Sequence, residues 1–125
     1  MPLTVLAVEH DPALRDLYHA LLTERGHTVR LVSTGPEAIS KLDIDVDVIV
    51  VDLRSRQSQG EVVLDAVRSR AIYQKLPVLI VDGAQGKATA GIEARAMTLR
   101  KPFVLTRFVQ AIEALAATTR RGTRH

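Results

Sequence analysis

The chain of 125 residues contains no cysteine. A disulfide framework and a thiolate metal site are therefore both excluded. Aromatic residues amount to two Phe and two Tyr, with no tryptophan. Charge of one sign is also scarce, because 17 basic and 14 acidic residues leave a net charge of only +3. Much of that excess sits in "TTRRGTRH", where Arg120, Arg121 and Arg124 fall beyond the last periodic helix. Three arginines without interleaved aromatics make a weak nucleic-acid surface. Residues 120–125 are expected to be a solvated basic tail or the start of a linker, with no direct contact to nucleic acid. Long apolar runs are missing too: "VIVV" is far too short to span a bilayer. The opening "MPLTVLAVEHD" lacks the basic start and long apolar stretch of a signal peptide, so a cytoplasmic location is expected.

What is present is globular in character. Hydrophobic residues make up 46 % and charged residues 25 %, a balance that excludes a disordered chain. The length suits one domain that can bury a core without staples. That domain is expected over residues 1–119.

Along the chain, apolar strands alternate with helical patterns. Strands are expected near 3–8, 27–32, 47–52, 77–81 and 96–99. Asp11 reads as a helix cap with Pro12 at the first helical position, and Gly26 as the stop. Leu14, Leu17, Tyr18, Leu21 and Leu22 recur at helical spacing between them. "TGPEAISKL" again opens with a cap and a helical proline. Val63, Ala66 and Val67 form a third stripe, and Gly60 is expected to supply a turn before it. Val104, Phe108, Ala111, Ile112 and Leu115 form the last stripe. Between them, "GAQGKATAGIEARAM" is alanine-rich but broken by Gly86 and Gly91, which weakens its helical pattern. Strands alternating with helices predict an α/β fold: a doubly wound, five-stranded parallel sheet with helices on both faces.

In such sheets ligands bind outside the carboxyl ends of the strands. Those ends carry Glu9 and His10 from the first strand, Asp52 from the third, Asp82 from the fourth, and Lys101 just after the fifth. Any one of these alone would be a solvated loop residue. Together they predict a shared acidic pocket. Arg54 and Arg56, in the loop after Asp52, are expected to be solvated. His19 and His27 are expected on the surface.

The pieces "VLAVEHDPALR", "DVIVVDLRSRQSQG", "LPVLIVDGA" and "LRKPF" resemble the receiver domains of two-component response regulators, over about residues 3–117. The resemblance implies a flavodoxin-like strand order 2-1-3-4-5. It implies that Asp52 is the phosphoacceptor, attacking a phosphohistidine or a small phosphodonor. Lys101 would then grip the phosphoryl oxygens, and Pro102 would match a position where a cis peptide aims that lysine inward. Glu9, His10 and Asp52 would form a degenerate set for a magnesium ion. The resemblance does not imply an enzyme beyond the acceptance of a phosphoryl group on Asp52.

Three positions depart from that pattern. His10 stands in place of the metal-binding aspartate, Asp82 in place of a Ser/Thr hydroxyl, and Thr98 in place of the switch aromatic. Magnesium prefers oxygen ligands, so it is expected to bind weakly, and no other cofactor is implied. A His/Asp/Glu cluster suits zinc or manganese better, but no ligand spacing specific to those metals is present. Nearby carboxylates favour a protonated His10, which with Lys101 would hold the acids together without a metal. An ionised Asp82 can only accept hydrogen bonds. A charge pair about 4–5 Å apart repels by roughly 3–4 kcal/mol at an effective dielectric of about 20, which opposes a phosphoryl group on Asp52.

The expectation is a receiver-like signalling module that works by protein contacts, with weak or absent phosphorylation. Its rivals are a working phosphoacceptor, phosphorylated on Asp52 by a partner histidine kinase, and a small metal-dependent enzyme on the same strand ends. The expected partners are a histidine kinase, an output protein or a second copy, docking on the face of residues 87–115. No membrane contact is expected. On that face Arg95, Arg100 and Arg107 are opposed only by Glu93 and Glu113, which favours an acidic partner.

Overall fold

A computed structural model of the chain describes residues 2–52, 60–82, 96–100 and 104–123. Five strands lie in one parallel sheet: β1 (Thr4–Val8), β2 (Thr28–Val32), β3 (Val48–Asp52), β4 (Val78–Asp82) and β5 (Ala96–Arg100). Their order is β2-β1-β3-β4-β5. The helices are α1 (Pro12–Glu24), α2 (Gly35–Lys41), α3 (Gly60–Ser69) and α4 (Leu105–Thr123), with a 3-10 turn at Ala71–Tyr73.

Strand periodicity divides the core into two layers. Val5, Ala7, Val48, Val50, Leu79 and Val81 face one way, against Tyr18 and Leu22 of α1 and Phe108, Ile112 and Leu115 of α4. Leu6, Val8, Ile49, Val51, Val78 and Ile80 face the other way, against Ala38 of α2 and Val63 and Val67 of α3. β3 is buried at every position, as the middle strand of a sheet covered on both sides must be. β2 lies at the edge and is only partly covered.

Local chemistry sets the element ends. The Asp11 carboxylate accepts the amide of Ala13 at 2.9 Å, and Pro12 opens α1 with no N–H to satisfy. The helix stops where Gly26 takes φ 87, a left-handed turn that costs a glycine little. The amides of Gly26 and His27 then reach back to Thr23 and Leu22. Thr34 caps α2, and its first-turn Glu37 accepts the Ser33 hydroxyl at 2.7 Å. That bond holds the Glu37 carboxyl below its ordinary range.

Several expectations are corrected. Val104 precedes α4 and is exposed, so the buried stripe begins at Phe108. α4 runs on to Thr123, so Arg120 and Arg121 are helical rather than a tail. Alanine and arginine favour helix, and basic residues near a helix carboxyl end complement its dipole, so the loss of apolar periodicity there did not mark an end. Gly60 is the first residue of α3 and not a turn before it. His27 is buried, whereas His19 is exposed as expected. The broken helical pattern between 83 and 95 lies outside the described residues.

Candidate functional site

β1 and β3 are neighbours, with Ala7 level with Val50. Two residues further along, the same register brings Glu9 level with Asp52. Adjacent strands stand about 4.8 Å apart, so two carboxylates meet at the carboxyl end of the sheet. Both are buried, Glu9 at 1 % exposure and Asp52 at 5 %. Carboxylates are rarely buried without compensation, and Glu9 has it. Its Oε2 accepts the amide of Asp11 at 3.3 Å, and its Oε1 accepts the hydroxyl of Tyr18 at 3.4 Å.

Tyr18 is itself buried on α1. Burial first, and then the charge of Glu9, push its phenol well above the ordinary range, with smaller contributions from Asp52 and Asp11. The hydroxyl therefore stays a donor. Its ring stacks on Phe108 of α4, with centroids 4.4 Å apart and planes 15° from parallel. Arg15, one turn into α1, donates from one Nη1 to the carbonyls of Glu9 and His10, both at 2.9 Å. It braces the loop that presents the acidic end of β1.

His10 is exposed, and its Nδ1 lies 3.7 Å from Glu9 Oε2. Asp82 closes β4 beside Arg100, one residue beyond the Asp52–Val81 pair, so its backbone is at the same end of the sheet. Thr98 pairs with Ile80 inside β5 and is exposed. Lys101, Pro102, Arg54, Arg56, Glu93 and Arg95 lie outside the described residues. The structure thus brings Glu9, His10 and Asp52 to one end of the sheet, with the end of β4 beside them.

Gly60 packs directly against the backbone at the end of β3. A Cβ there would overlap the carbonyl oxygen of Asp52 and stand 2.8 Å from its carbonyl carbon. The first turn of α3 can approach the end of β3 only because residue 60 has no side chain.

Glu113 corrects the reading of the 87–115 face. It turns toward α1 and β2, where Arg25 reaches its two oxygens at 3.1 and 2.9 Å. His27 Nε2 lies 2.7 Å from Glu113 Oε2, while His27 Nδ1 accepts the amide of Leu3. Glu113 is thus a tie between elements rather than a counterweight to Arg107, which is exposed.

Nothing in the sequence motifs marks Arg15 or Tyr18 as a site residue. A tyrosine in an apolar stripe was the available signal, since a buried phenol needs a hydrogen-bond partner.

A doubly wound parallel sheet in the order β2-β1-β3-β4-β5, with buried carboxylates at the ends of β1 and β3, fits the class of signalling receiver domains. The response regulator receiver domain model matches residues 5–113, and the chain belongs to that family. The transcriptional regulatory protein TcrA of Mycobacterium tuberculosis is 32 % identical over 120 residues, covering 94 % of this chain and 46 % of TcrA. The response regulator MprA of Mycolicibacterium vanbaalenii is 30 % identical over 121 residues, 95 % of this chain and 52 % of MprA. The chain spans about half the length of these curated relatives. Among solved structures, the chemotaxis protein CheY4 of Vibrio cholerae superimposes with a TM-score of 0.79 at 23 % identity, covering 92 % of this chain and 99 % of that one. NtrX of Brucella abortus, in complex with ADP, gives a TM-score of 0.86 at 23 % identity, covering 99 % of this chain and 29 % of NtrX.

Receiver domains in general bind magnesium at this site. The described residues fit that ion poorly. His10 offers nitrogen where magnesium takes oxygen, and Glu9 already accepts from Tyr18 and Asp11. Among the described residues, no group of three or more His, Cys, Asp and Glu is arranged to hold a metal ion. No described helix is long and apolar enough to cross a membrane.

Proposed function

We propose that this chain is a receiver module of a two-component system that signals by protein contacts, with phosphorylation at Asp52 weak or absent. The observation that carries this reading is the exposed imidazole of His10 beside Glu9, a position where the family resemblance implies a metal-binding carboxylate. Asp82, in place of a hydroxyl donor, adds a negative charge where a phosphoryl group would need a hydrogen bond. Magnesium is at most a weak ligand here. The domain is not itself an enzyme, and at most its Asp52 accepts a phosphoryl group. It acts in the cytoplasm, without direct contact to nucleic acid or membrane. Its partner is a histidine kinase, an output protein or a second copy, docking on the face of residues 87–115 with acidic groups toward Arg100 and Arg107. Charge reversal at both arginines should weaken the complex and its salt dependence together.

The test exposes four proteins to a small phosphodonor with magnesium: wild type, His10→Asp, Asp82→Thr and the double variant. Mass spectrometry should find little label on the wild type and clear label on the double variant, abolished by Asp52→Asn. Rapid magnesium-dependent labelling of the wild type at Asp52 would overturn the reading.

A second reading keeps Asp52 as a working acceptor, phosphorylated by a histidine kinase. It is supported by the acceptor's retention, buried beside Glu9 at the end of β3. The transcriptional regulatory protein TcrA, of which this chain spans about half, supports extending it to control of transcription.

A further inference from the structure

The usual aromatic of β5 is replaced by Thr98, which is exposed. Tyr73 is in the 3-10 turn that follows α3, and it lines a cleft with Pro77 just before β4. That cleft is at the amino end of the sheet, away from Asp52. Tyr18, by contrast, touches both the pocket and the last helix. Its hydroxyl donates to Glu9 Oε1, and its ring stacks on Phe108 of α4. Both rings are almost completely buried, Tyr18 at 1 % and Phe108 at 0 %.

We infer that Tyr18 is a positioning residue that couples the charge of the acidic pocket to the placement of α4. A buried hydroxyl holds to an acceptor, and a carboxylate oxygen is a stronger one than a neutral amide. When Glu9 is drawn toward a cation, or is replaced by an uncharged side chain, the phenol follows it or loosens. The ring cannot move freely, because the interior around it is close-packed. Its displacement is passed to Phe108 and so to the first turns of α4. The route runs between α1 and α4 and needs no aromatic on β5.

The inference rests on the reading of the pocket above only in taking Glu9 as a charged member of it. The test uses the full chain labelled with nitrogen-15 and compares amide chemical shifts. Glu9→Gln removes the charge without any phosphodonor or metal. It is made in three backgrounds: wild type, Tyr18→Phe, which keeps the ring but not the hydroxyl, and Phe108→Leu, which keeps the hydroxyl but not the stack. In the wild-type background, Glu9→Gln should displace the amides of residues 105–112. In both other backgrounds that displacement should be at least halved, while the amides of residues 8–11 still respond. With Tyr73→Phe added, Tyr18 is the sole tyrosine, and its near-ultraviolet absorption should shift on Glu9→Gln in the Phe108→Leu background as well. Displacements of α4 that are equal with and without the Tyr18 hydroxyl would overturn the inference. A His10→Asp, Asp82→Thr protein that takes no label would remove the reading of the pocket instead, and leave this comparison intact.

Discussion

Gly60 and the backbone of Asp52 are in such close contact that a methyl group on Gly60 would overlap the Asp52 carbonyl oxygen. The obstacle is backbone in the central strand of the sheet, so it cannot swing aside as a side chain would. Gly60→Ala should therefore destabilise the fold by about 2–3 kcal/mol, as overpacking does. Urea denaturation reads the loss, and the Asp52 amide resonance should move with it. A variant as stable as the wild type would show that α3 can withdraw from the end of β3.

Glu113 joins α4 to the end of α1 and the start of β2. The Arg25 guanidinium first, and His27 second, hold its carboxyl below the usual carboxylate range. A group whose carboxyl is depressed on folding stabilises the fold above its unfolded value, and the contribution is lost as pH falls through the folded value. Glu113→Gln should lower stability at pH 7 by about 1 kcal/mol, since partial exposure screens the pair. The gap between wild type and variant should hold above the ordinary glutamate value of about 4.3 and close as pH falls through the lower value of the folded state. Thermal unfolding across that range measures it. A gap that widens in acid would reverse the sign.

His27 accepts the Leu3 amide through Nδ1, from a ring that is 6 % exposed. That bond leaves Nε2 as the protonated nitrogen of the neutral ring, facing Glu113. His27→Ala removes the acceptor and leaves a buried amide unsatisfied, at a cost of about 1–3 kcal/mol. Hydrogen exchange at the Leu3 amide should accelerate more than at Val50, in the middle of β3. Equal acceleration at both would point to global unfolding rather than loss of this bond.

The proposed role of His10 in weakening cation binding rests on ligand chemistry rather than space, since His10 is exposed beside Glu9. His10→Asp supplies the oxygen that magnesium prefers and should tighten its binding about tenfold or more, equal to about 1.4 kcal/mol. Titration with magnesium, followed at the Asp52 amide, gives both affinities. Unchanged affinity would place the weakness elsewhere in the pocket.

The alternation of apolar strands and helical stripes was legible because backbone periodicity is local. A residue's face is decided by its neighbours in sequence, and so are caps such as Asp11 and Thr34 and the stop at Gly26. Strand ends are local too, and with the strand-end rule they were enough to bring Glu9, His10, Asp52 and Asp82 to one edge. What stands opposite a side chain is not local. His27 reads as a surface residue until Glu113, 86 positions away, is packed beside it. Tyr18 reads as one more member of an apolar stripe until α1 places its hydroxyl on Glu9 and α4 places Phe108 on its ring. Gly60 reads as a turn until α3 docks on Asp52. The sequence alone determined the layers and the strand ends. Only the tertiary structure decided which buried polar groups found which partners, because that choice depends on helix docking between segments far apart in the chain.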